Sequence, residues 1–435
     1  MSPAVVDDAP RLDDMPLPDA ASPSLALVHP TPEEKLSILK LNVVPWRGPL
    51  SVSAYLEREN FLFGQPLTKD GGITHWALVD TSVPRESRRI LASCESIRKK
   101  AFVAVTTEDG RVQVDQVLSH GVGSVFCDPA LRGRKYAGRM MKELGKKLRT
   151  WQIDEKVPGR KRCLFSVLYS DIGKKFYSSN GWHPFPSTHI ALPPLSADIH
   201  IDTSQLPPTR DLHTQDLSTL CSADEALMRR DLTTHSSNHK FRVALIPDVE
   251  TMSWHHAREE FVAQQIFNRK PEIKGAIVGD QAGSRAWVIW ARVWGNELGA
   301  EDPDHKLYIL RLVVEGRNAA KRTENGSVPT SASTDAHHDK NQRDMIKSLL
   351  VAAQLEAGRW KLKEVHLWNP TEQAVLAVQE AHELTAPPAN TAVKVIDRDS
   401  ESIASLMWYG HDRDDLGRNS RSEVEWIGNE KYGWC

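Results

Sequence analysis

Apolar residues recur along the chain with two periods, and the switching between them lays out an order of elements. "TPEEKLSILKLNV" opens with Thr31 at a helix N-cap and two carboxylates in the first turn, so it predicts a helix from Pro32. "LSVSAYLERENFLF" is a second helical pattern. "THWALVDTS", "RRILASCESIRKKAFVAV" and "RVQVDQVLSHGVGSVFCDP" then predict strands, with the turn "TTEDG" joining the last two. Over 135–150 the period returns to a helix. Tyr136, Ala137, Met140, Met141, Leu144 and Leu148 form its apolar face, opposite Lys142, Lys146 and Lys147. "KRCLFSVLYS" predicts a buried strand, "DIGKKFYSSNGW" a short helix ending before Gly181, and "HIAL" another strand. Mostly antiparallel strands, with a helix between two central ones, make an α+β fold.

Pro-containing "ALPPLSADIHIDTSQLPPTRDL" reads as a linker, and a second folded unit is expected beyond it. Nine of the thirteen tryptophans fall after residue 250, which no disordered tail would carry. There, "SRAWVIWARVW", "KLYILRLVVE" and "LKEVHLWNP" predict strands, and "NQRDMIKSLLVAAQLEAGRW" a helix stopping near Gly358. The expected division is a disordered segment over 1–30, a first domain over 31–195, a linker over 196–215 and a second domain over 216–435. Polar, low-complexity sequence over 316–341 predicts a mobile loop inside the second domain.

Composition narrows the chemistry. Of 435 residues, 40% are hydrophobic and 26% charged, with a formal net charge of -2. That balance offers no bulk attraction to nucleic acid or to an anionic membrane. No apolar run reaches the ~18 residues of a membrane span. The acidic, Pro/Ala-rich start lacks the regions of a secretory signal and the Arg of a transit peptide. Five scattered cysteines without C-x-x-C suit reduced thiols, and a cytoplasmic protein is expected. "SWHHAREE" lacks the spacing of a zinc helix and "DAHHDK" lies in the polar loop, so no metal site is expected. The pattern carries no signal for oligomeric state.

One stretch points to a ligand. "CDPALRGRKYA" places Arg132, Arg134 and Lys135 at a helix start, where the helix dipole already repels cations. An anion held by unpaired N–H groups and by those side chains resolves the conflict, with Gly133 and Ala137 leaving room for a pyrophosphate. A solvated basic helix start is the plain alternative.

In its order of elements this region resembles the GCN5-related N-acetyltransferases. Their acetyl-CoA motif is a strand ending V-x-P, two residues, then [R/Q]-x-x-G-x-[G/A] opening a long helix. Here Cys127 stands for the valine, followed by Pro129, Arg132 and Ala137, while Lys135 occupies the place of a glycine. Their second pattern, N-x-x-A-x-x-x-Y-x-x-x-G-[F/W], is matched by "SDIGKKFYSSNGW", with Ser170 for the asparagine, Gly173 for the alanine, then Tyr177 and Gly181-Trp182. Within that group the chain looks like the fungal lysine N6-acetyltransferases, through its "SC-E" strand, "G-x-x-SVF-x-x-P", "YAGRMM" and the "NEKYGWC" end.

The resemblance implies a mixed, mostly antiparallel sheet with a splayed central strand pair, and acetyl transfer from acetyl-CoA to the side-chain amine of free L-lysine. It implies cofactor contacts along Val125, Phe126, Cys127, Arg132, Gly133, Arg134, Lys135, Tyr136, Ala137 and Ser170. Backbone near Val125 and Cys127 would face the thioester carbonyl, and Tyr177 would be the acid facing the sulfur. An acceptor amine with a pKa near ~10.4 costs roughly 4–5 kcal/mol to deprotonate at pH 7, so a base or relay is needed. His120 and Glu95 are the candidates. The terminal carboxylate of Cys435 is a third, because some two-domain relatives of the fold use theirs. The second half repeats the order strand, loop, long helix, strand without the Arg–Gly pattern. It is read as a second α+β domain of the same type that has lost the cofactor loop and walls the amine pocket. A protein-lysine or polyamine acetyltransferase stays open as an alternative, as does a non-catalytic acyl-CoA-binding protein.

Overall fold

The computed structural model describes residues 17–196, 204, 206–234, 239–316, 332–385, 395–410 and 423–434. Two sheets carry the architecture. The first contains β1 (Leu25–Val28), β2 (Ile73–Asp80), β3 (Ala92–Thr106), β4 (Val112–Phe126), β5 (Cys163–Ser170) and β6 (His183–Pro184). The second contains β7 (Thr188–Leu192), β8 (Thr209–Leu212), β10 (Gly275–Val278), β11 (Ala286–Trp294), β12 (His305–Val314), β13 (Glu364–Trp368) and β14 (Val395–Asp397). Three strands from late in the chain, β9 (Phe241–Leu245), β15 (Ile403–Trp408) and β16 (Val424–Trp426), belong to the first sheet. The helices are α1 (Pro32–Leu41), α2 (Val43–Trp46), α3 (Val52–Phe63), α4 (Tyr136–Leu148), α5 (Lys175–Ser178), α6 (Thr214–Thr234), α7 (Val249–Phe267), α8 (Ala332–Arg359) and α9 (Glu372–Thr385).

Both sheets are mostly antiparallel, and each has a parallel pair bridged by a single helix, β4–α4–β5 and β12–α8–β13, with β9 and β16 a further parallel pair in the first. Amphipathic α4 lays Met140, Met141, Leu144 and Leu148 on the first sheet against Trp76, Leu118 and Leu168. In α8 the residues Ile346, Leu349, Leu350 and Ala353 do the same on the second sheet, against Val288, Leu307 and Val365. A shared cluster joins the sheets, with Phe165, Val167 and Val243 from one meeting Trp287, Ile289 and Leu310 from the other. α1 starts where expected: Thr31 accepts from the Glu34 N–H at 3.2 Å while the Glu34 carboxylate accepts from the Thr31 N–H, a reciprocal cap.

Four expectations are corrected. The first thirty residues are not all without structure: residues 17–30 are described, and β1 pairs antiparallel with β2 because Leu25 buries its side chain in the α4 core. Residues 1–16 lie outside the described residues. The polar stretch 316–341 is not a loop throughout, since α8 begins at Ala332, while 317–331 lie outside the described residues. The stretch taken as linker ends in β8, which covers the edge of β10. Finally, the sheets do not follow the expected division. β7 leaves the first half to pair with β13, and β15 leaves the second half to pair with β5 along Ile403–Trp408. Division at 196–215 describes chain order: the first sheet takes β9, β15 and β16 from the second half, and the second sheet takes β7 from the first.

Candidate active site

The site begins where β4 and β5 part. They pair in parallel from Leu118–Val122 to Cys163–Leu168 and no further. On its other edge β4 slips register against β3 between Ser93 and Glu95, and Ser124 takes φ 50°. An extra residue on one strand bends it, so β4 swings away. β5 itself stays in the sheet through its opposite edge, which pairs with β15 along Phe165–Ser170. Gly123 to Phe126 are left with no strand partner on the β5 side among the described residues, which exposes backbone polar groups to whatever enters.

The basic loop follows. Asp128 accepts from the Ala130 N–H at 2.9 Å and starts a 3₁₀ turn over Pro129–Leu131. Arg132 donates from Nε to the Cys127 carbonyl at 3.2 Å and lies 5.8 Å from the Phe126 ring. Gly133 and Lys135 both have positive φ, 81° and 66°. Lys135 thus adopts the left-handed conformation that a glycine takes without steric cost, and its side chain is exposed. The backbone N–H groups of residues 133–138 have no protein acceptor among the described residues. This makes an anion cradle at the start of α4. Tyr136 is different: it is buried, and its hydroxyl donates to the Pro18 carbonyl at 2.5 Å. Ser170 is buried too, donating to the Gly173 carbonyl at 2.7 Å and so shaping the turn that leads to α5. Neither lines the cavity.

Beside the splay lies a cavity of about 920 Å³ with walls from both sheets. Val125, Phe126, Cys127, Arg132, Ala137 and Tyr177 line it on the cofactor side. Tyr177 comes from α5. Burial pushes its hydroxyl above the usual tyrosine range, and it makes no hydrogen bond among the described residues. Glu95, on β3, faces the same space. Its Oε1 lies 3.1 Å from His75 Nδ1, and its Oε2 accepts from the Ser124 hydroxyl at 2.9 Å. Burial alone would raise this carboxyl; the His75 and Ser124 bonds and nearby Lys35 outweigh it, and the group stays ionised below its ordinary value. Sequence reasoning named Glu95 but missed His75 and Ser124, whose roles depend on a cross-strand pairing and a bulge.

His120 is placed elsewhere. It is fully buried on the α4 face of β4, 3.6 Å from the Cys163 sulfur, and does not line the cavity. Burial lowers its pKa to about 4. Cys435 lies outside the described residues, but neighbouring Trp434 lines the cavity. α3 adds Tyr55 and Arg58 to the wall, and the second half of the chain adds Arg258 of α7, Tyr308 of β12, and Lys431 in a 3₁₀ turn over Lys431–Gly433. The paired histidines of "SWHHAREE" tie that wall together. His255 Nε2 donates to the Tyr432 carbonyl at 3.2 Å and His256 Nε2 to the Trp290 carbonyl at 3.0 Å. Among the described residues no group of three His, Cys, Asp or Glu side chains is placed to hold a metal ion. Among them, too, no helix is long and apolar enough to cross a membrane.

A family model described as the LYC1 GNAT-like C-terminal domain matches residues 189–435, more than half of the chain. A lysine acetyltransferase of Yarrowia lipolytica is 22% identical over 301 residues, which covers 61% of this chain and 71% of that protein. An uncharacterized protein of Saccharomyces cerevisiae is 22% identical over 291 residues, with the same shares of 61% and 71%. Among solved structures, a GCN5-related N-acetyltransferase from Anabaena variabilis aligns at 12% identity with a TM-score of 0.46, over 88% of this chain and 72% of that one. The chain belongs to the LYC1 GNAT-like family, and with it to the acyltransferases of the GCN5-related fold.

Proposed function

We propose that this chain transfers acetyl from acetyl-CoA to the N6 amine of free L-lysine by direct attack. The observation that carries this reading is the convergence of Glu95, Tyr177 and the unpaired edge of β4 on one cavity walled by both sheets. A cavity built this way suits a small acceptor better than a protein chain, which needs an open groove. The Yarrowia relative is named a lysine acetyltransferase, which supports a lysine amine as the acceptor.

The chemistry divides among the residues as follows. The N–H groups of residues 133–138, with Arg132 and Arg134, hold the pyrophosphate. Backbone N–H groups along Val125–Cys127 meet the negative charge that develops on the thioester oxygen. Glu95 attracts the incoming ammonium. A carboxylate held below its ordinary pKa is too weak a base to strip an amine beforehand. The ammonium therefore loses its first proton to solvent, the neutral amine so formed attacks the thioester carbon, and Glu95 accepts the second proton, directly or through one water, as the C–N bond forms and the nitrogen becomes acidic. The carbon–sulfur bond breaks, and the Tyr177 hydroxyl, kept protonated by burial, donates to the departing sulfur. The products are N6-acetyl-lysine and CoA thiol.

The test follows thiol release from acetyl-CoA with L-lysine, spermidine or a lysine-rich peptide, with products identified by mass. The expected result is turnover of lysine to the N6-acetyl product, with kcat reduced about 10²- to 10⁴-fold by Tyr177→Phe. Turnover of the peptide alone would move the activity to protein modification, and an unchanged kcat in the variant would remove Tyr177 from the reaction.

A further inference from the structure

Six cationic side chains line the cavity, and four are already matched. Arg58 donates to Glu59 at 2.8 and 2.6 Å and to the Trp46 carbonyl at 3.2 Å. Arg132 donates to the Cys127 carbonyl, Lys306 pairs with Asp304, and Arg292 is held by Glu259 and Glu356. Arg258 and Lys431 have neither a carboxylate nor a carbonyl acceptor among the described residues. What they have is aromatic. The Arg258 Cζ lies 5.7 Å from the Trp434 ring centroid and the Lys431 Nζ 4.0 Å from it. Lys431 Nζ is also 4.4 Å from the rings of Tyr308 and Trp368.

Aromatic faces orient a cation without neutralising it. Lys431 is only 5% exposed, and burial lowers its pKa; nearby Asp171 opposes that fall, while Arg258 and Arg398 add to it. Two like charges face one enclosed space, and the carboxylates lining it nearby, Asp171 for Lys431 and Glu59 for Arg258, form an ion pair with neither among the described residues, an arrangement that a ligand anion completes. The turn that carries Lys431 is fixed from three sides. His255 donates to the Tyr432 carbonyl, the Tyr432 hydroxyl donates to the Leu245 carbonyl at 2.7 Å, and Glu430 pairs with Arg311 while accepting from the Leu312 N–H at 3.0 Å. A site held this firmly is preorganised for its ligand.

We propose that Arg258 and Lys431 form the subsite for the carboxylate of the acceptor, so that the enzyme selects an amino acid carrying a distal amine. This rests on the reading of the cavity as an amine-acetylation site and adds what the acceptor must carry besides its amine. A polyamine has no anion to offer and is repelled. A lysine inside a peptide has its carboxyl tied up as a neutral amide.

Three probes separate the groups: L-lysine, cadaverine, which lacks the carboxylate, and 6-aminohexanoate, which keeps it and lacks the α-amine. Their binding is measured by calorimetry on the full chain loaded with desulfo-CoA, and turnover with acetyl-CoA is recorded in parallel. L-lysine and 6-aminohexanoate are expected to bind at least about 10-fold more tightly than cadaverine. Arg258→Met is expected to weaken both by about 10- to 100-fold while cadaverine changes by less than about threefold, and Arg258→Lys to recover part of the loss. Lys431→Met, with its melting temperature checked, carries the same test if the arginine variant does not fold. Cadaverine binding as tightly as lysine, or equal losses for all three probes, would overturn the subsite. A carboxylate preference without acetylation of any amine would instead sink the transfer reaction and leave the subsite standing.

Discussion

The β4–α4–β5 and β12–α8–β13 units share one topology and have opposite fates. In each, a helix links two parallel strands and buries an apolar face on its sheet. In the first, a bulge at Ser124 opens the strand pair and a basic loop presents six N–H groups. In the second, Lys306–Ile309 pair with Glu364–Leu367 in unbroken register, and Tyr308 and Lys306 become cavity wall. The difference shows that the topology supplies only a scaffold. One extra residue in a strand and a few residues of loop decide whether the unit opens a strand edge and an anion cradle or stays a closed wall of the cavity.

The most severe way to break this comparison is through the exchanged strands. Leu406 of β15 and Ile190 of β7 are both fully buried. Leu406→Asp and Ile190→Asp each place an unpaired carboxylate in a core, at a cost of more than ~4 kcal/mol. Because Phe165 and Trp287 share one cluster across the sheets, either change is expected to abolish one cooperative thermal transition for the whole chain. Two separate transitions in the calorimeter would mean that the units fold independently.

Next in size is the buried histidine of the first unit. His120 has its pKa depressed to about 4 in the folded chain against about 6.5 unfolded. The unfolded state therefore binds the proton first, and stability falls as the pH drops from about 6.5 to about 4, by up to roughly 3 kcal/mol. Denaturant titrations should show that His120→Asn lacks this part of the acid sensitivity. Because the side chain does not line the cavity, the same variant should keep the pH dependence of kcat. A shifted profile would return His120 to the chemistry.

Smaller effects sharpen the contrast between the loops. Arg132→Ala is expected to raise KM for acetyl-CoA about tenfold, the loss of one charge-assisted contact. Arg285→Ala, a change to an arginine paired with Glu315 beside the second unit, should leave that KM unchanged. The smallest is Lys135→Gly. Relieving a left-handed side-chain conformation should stabilise the protein by about 1 kcal/mol, read as a higher Tm.

The parts of this organisation that were legible in the sequence are those whose causes are local. The cap at Thr31, the apolar stripe of α4 and the loop "RGRK" announce themselves within a few residues. β15 did not, because a six-residue run has no periodic signature long enough to weigh, and its partner β5 is far away in the chain. In α7 the stripe is obscured by buried His255, His256 and Glu259, polar residues whose partners lie on other elements. Glu95 was visible as a carboxylate in an apolar strand, but His75 and Ser124 acquire meaning only from register. Arg258 and Lys431 gave no signal at all, since what distinguishes them is a three-dimensional setting of aromatic rings without an ion-pair or carbonyl partner among the described residues.

The strand exchange also bears on how the protein comes into being. β5 cannot be completed on its outer edge until β15 has been made, and Lys431 and Trp434 follow later still. Contacts of such long sequence separation form late. The basic loop and α4 can be in place while the Lys431–Trp434 wall is still missing, so closure of the cavity is expected to be the last step of folding. Until then, a half-made chain carries the basic loop and one side of the cavity without the turn that closes the other.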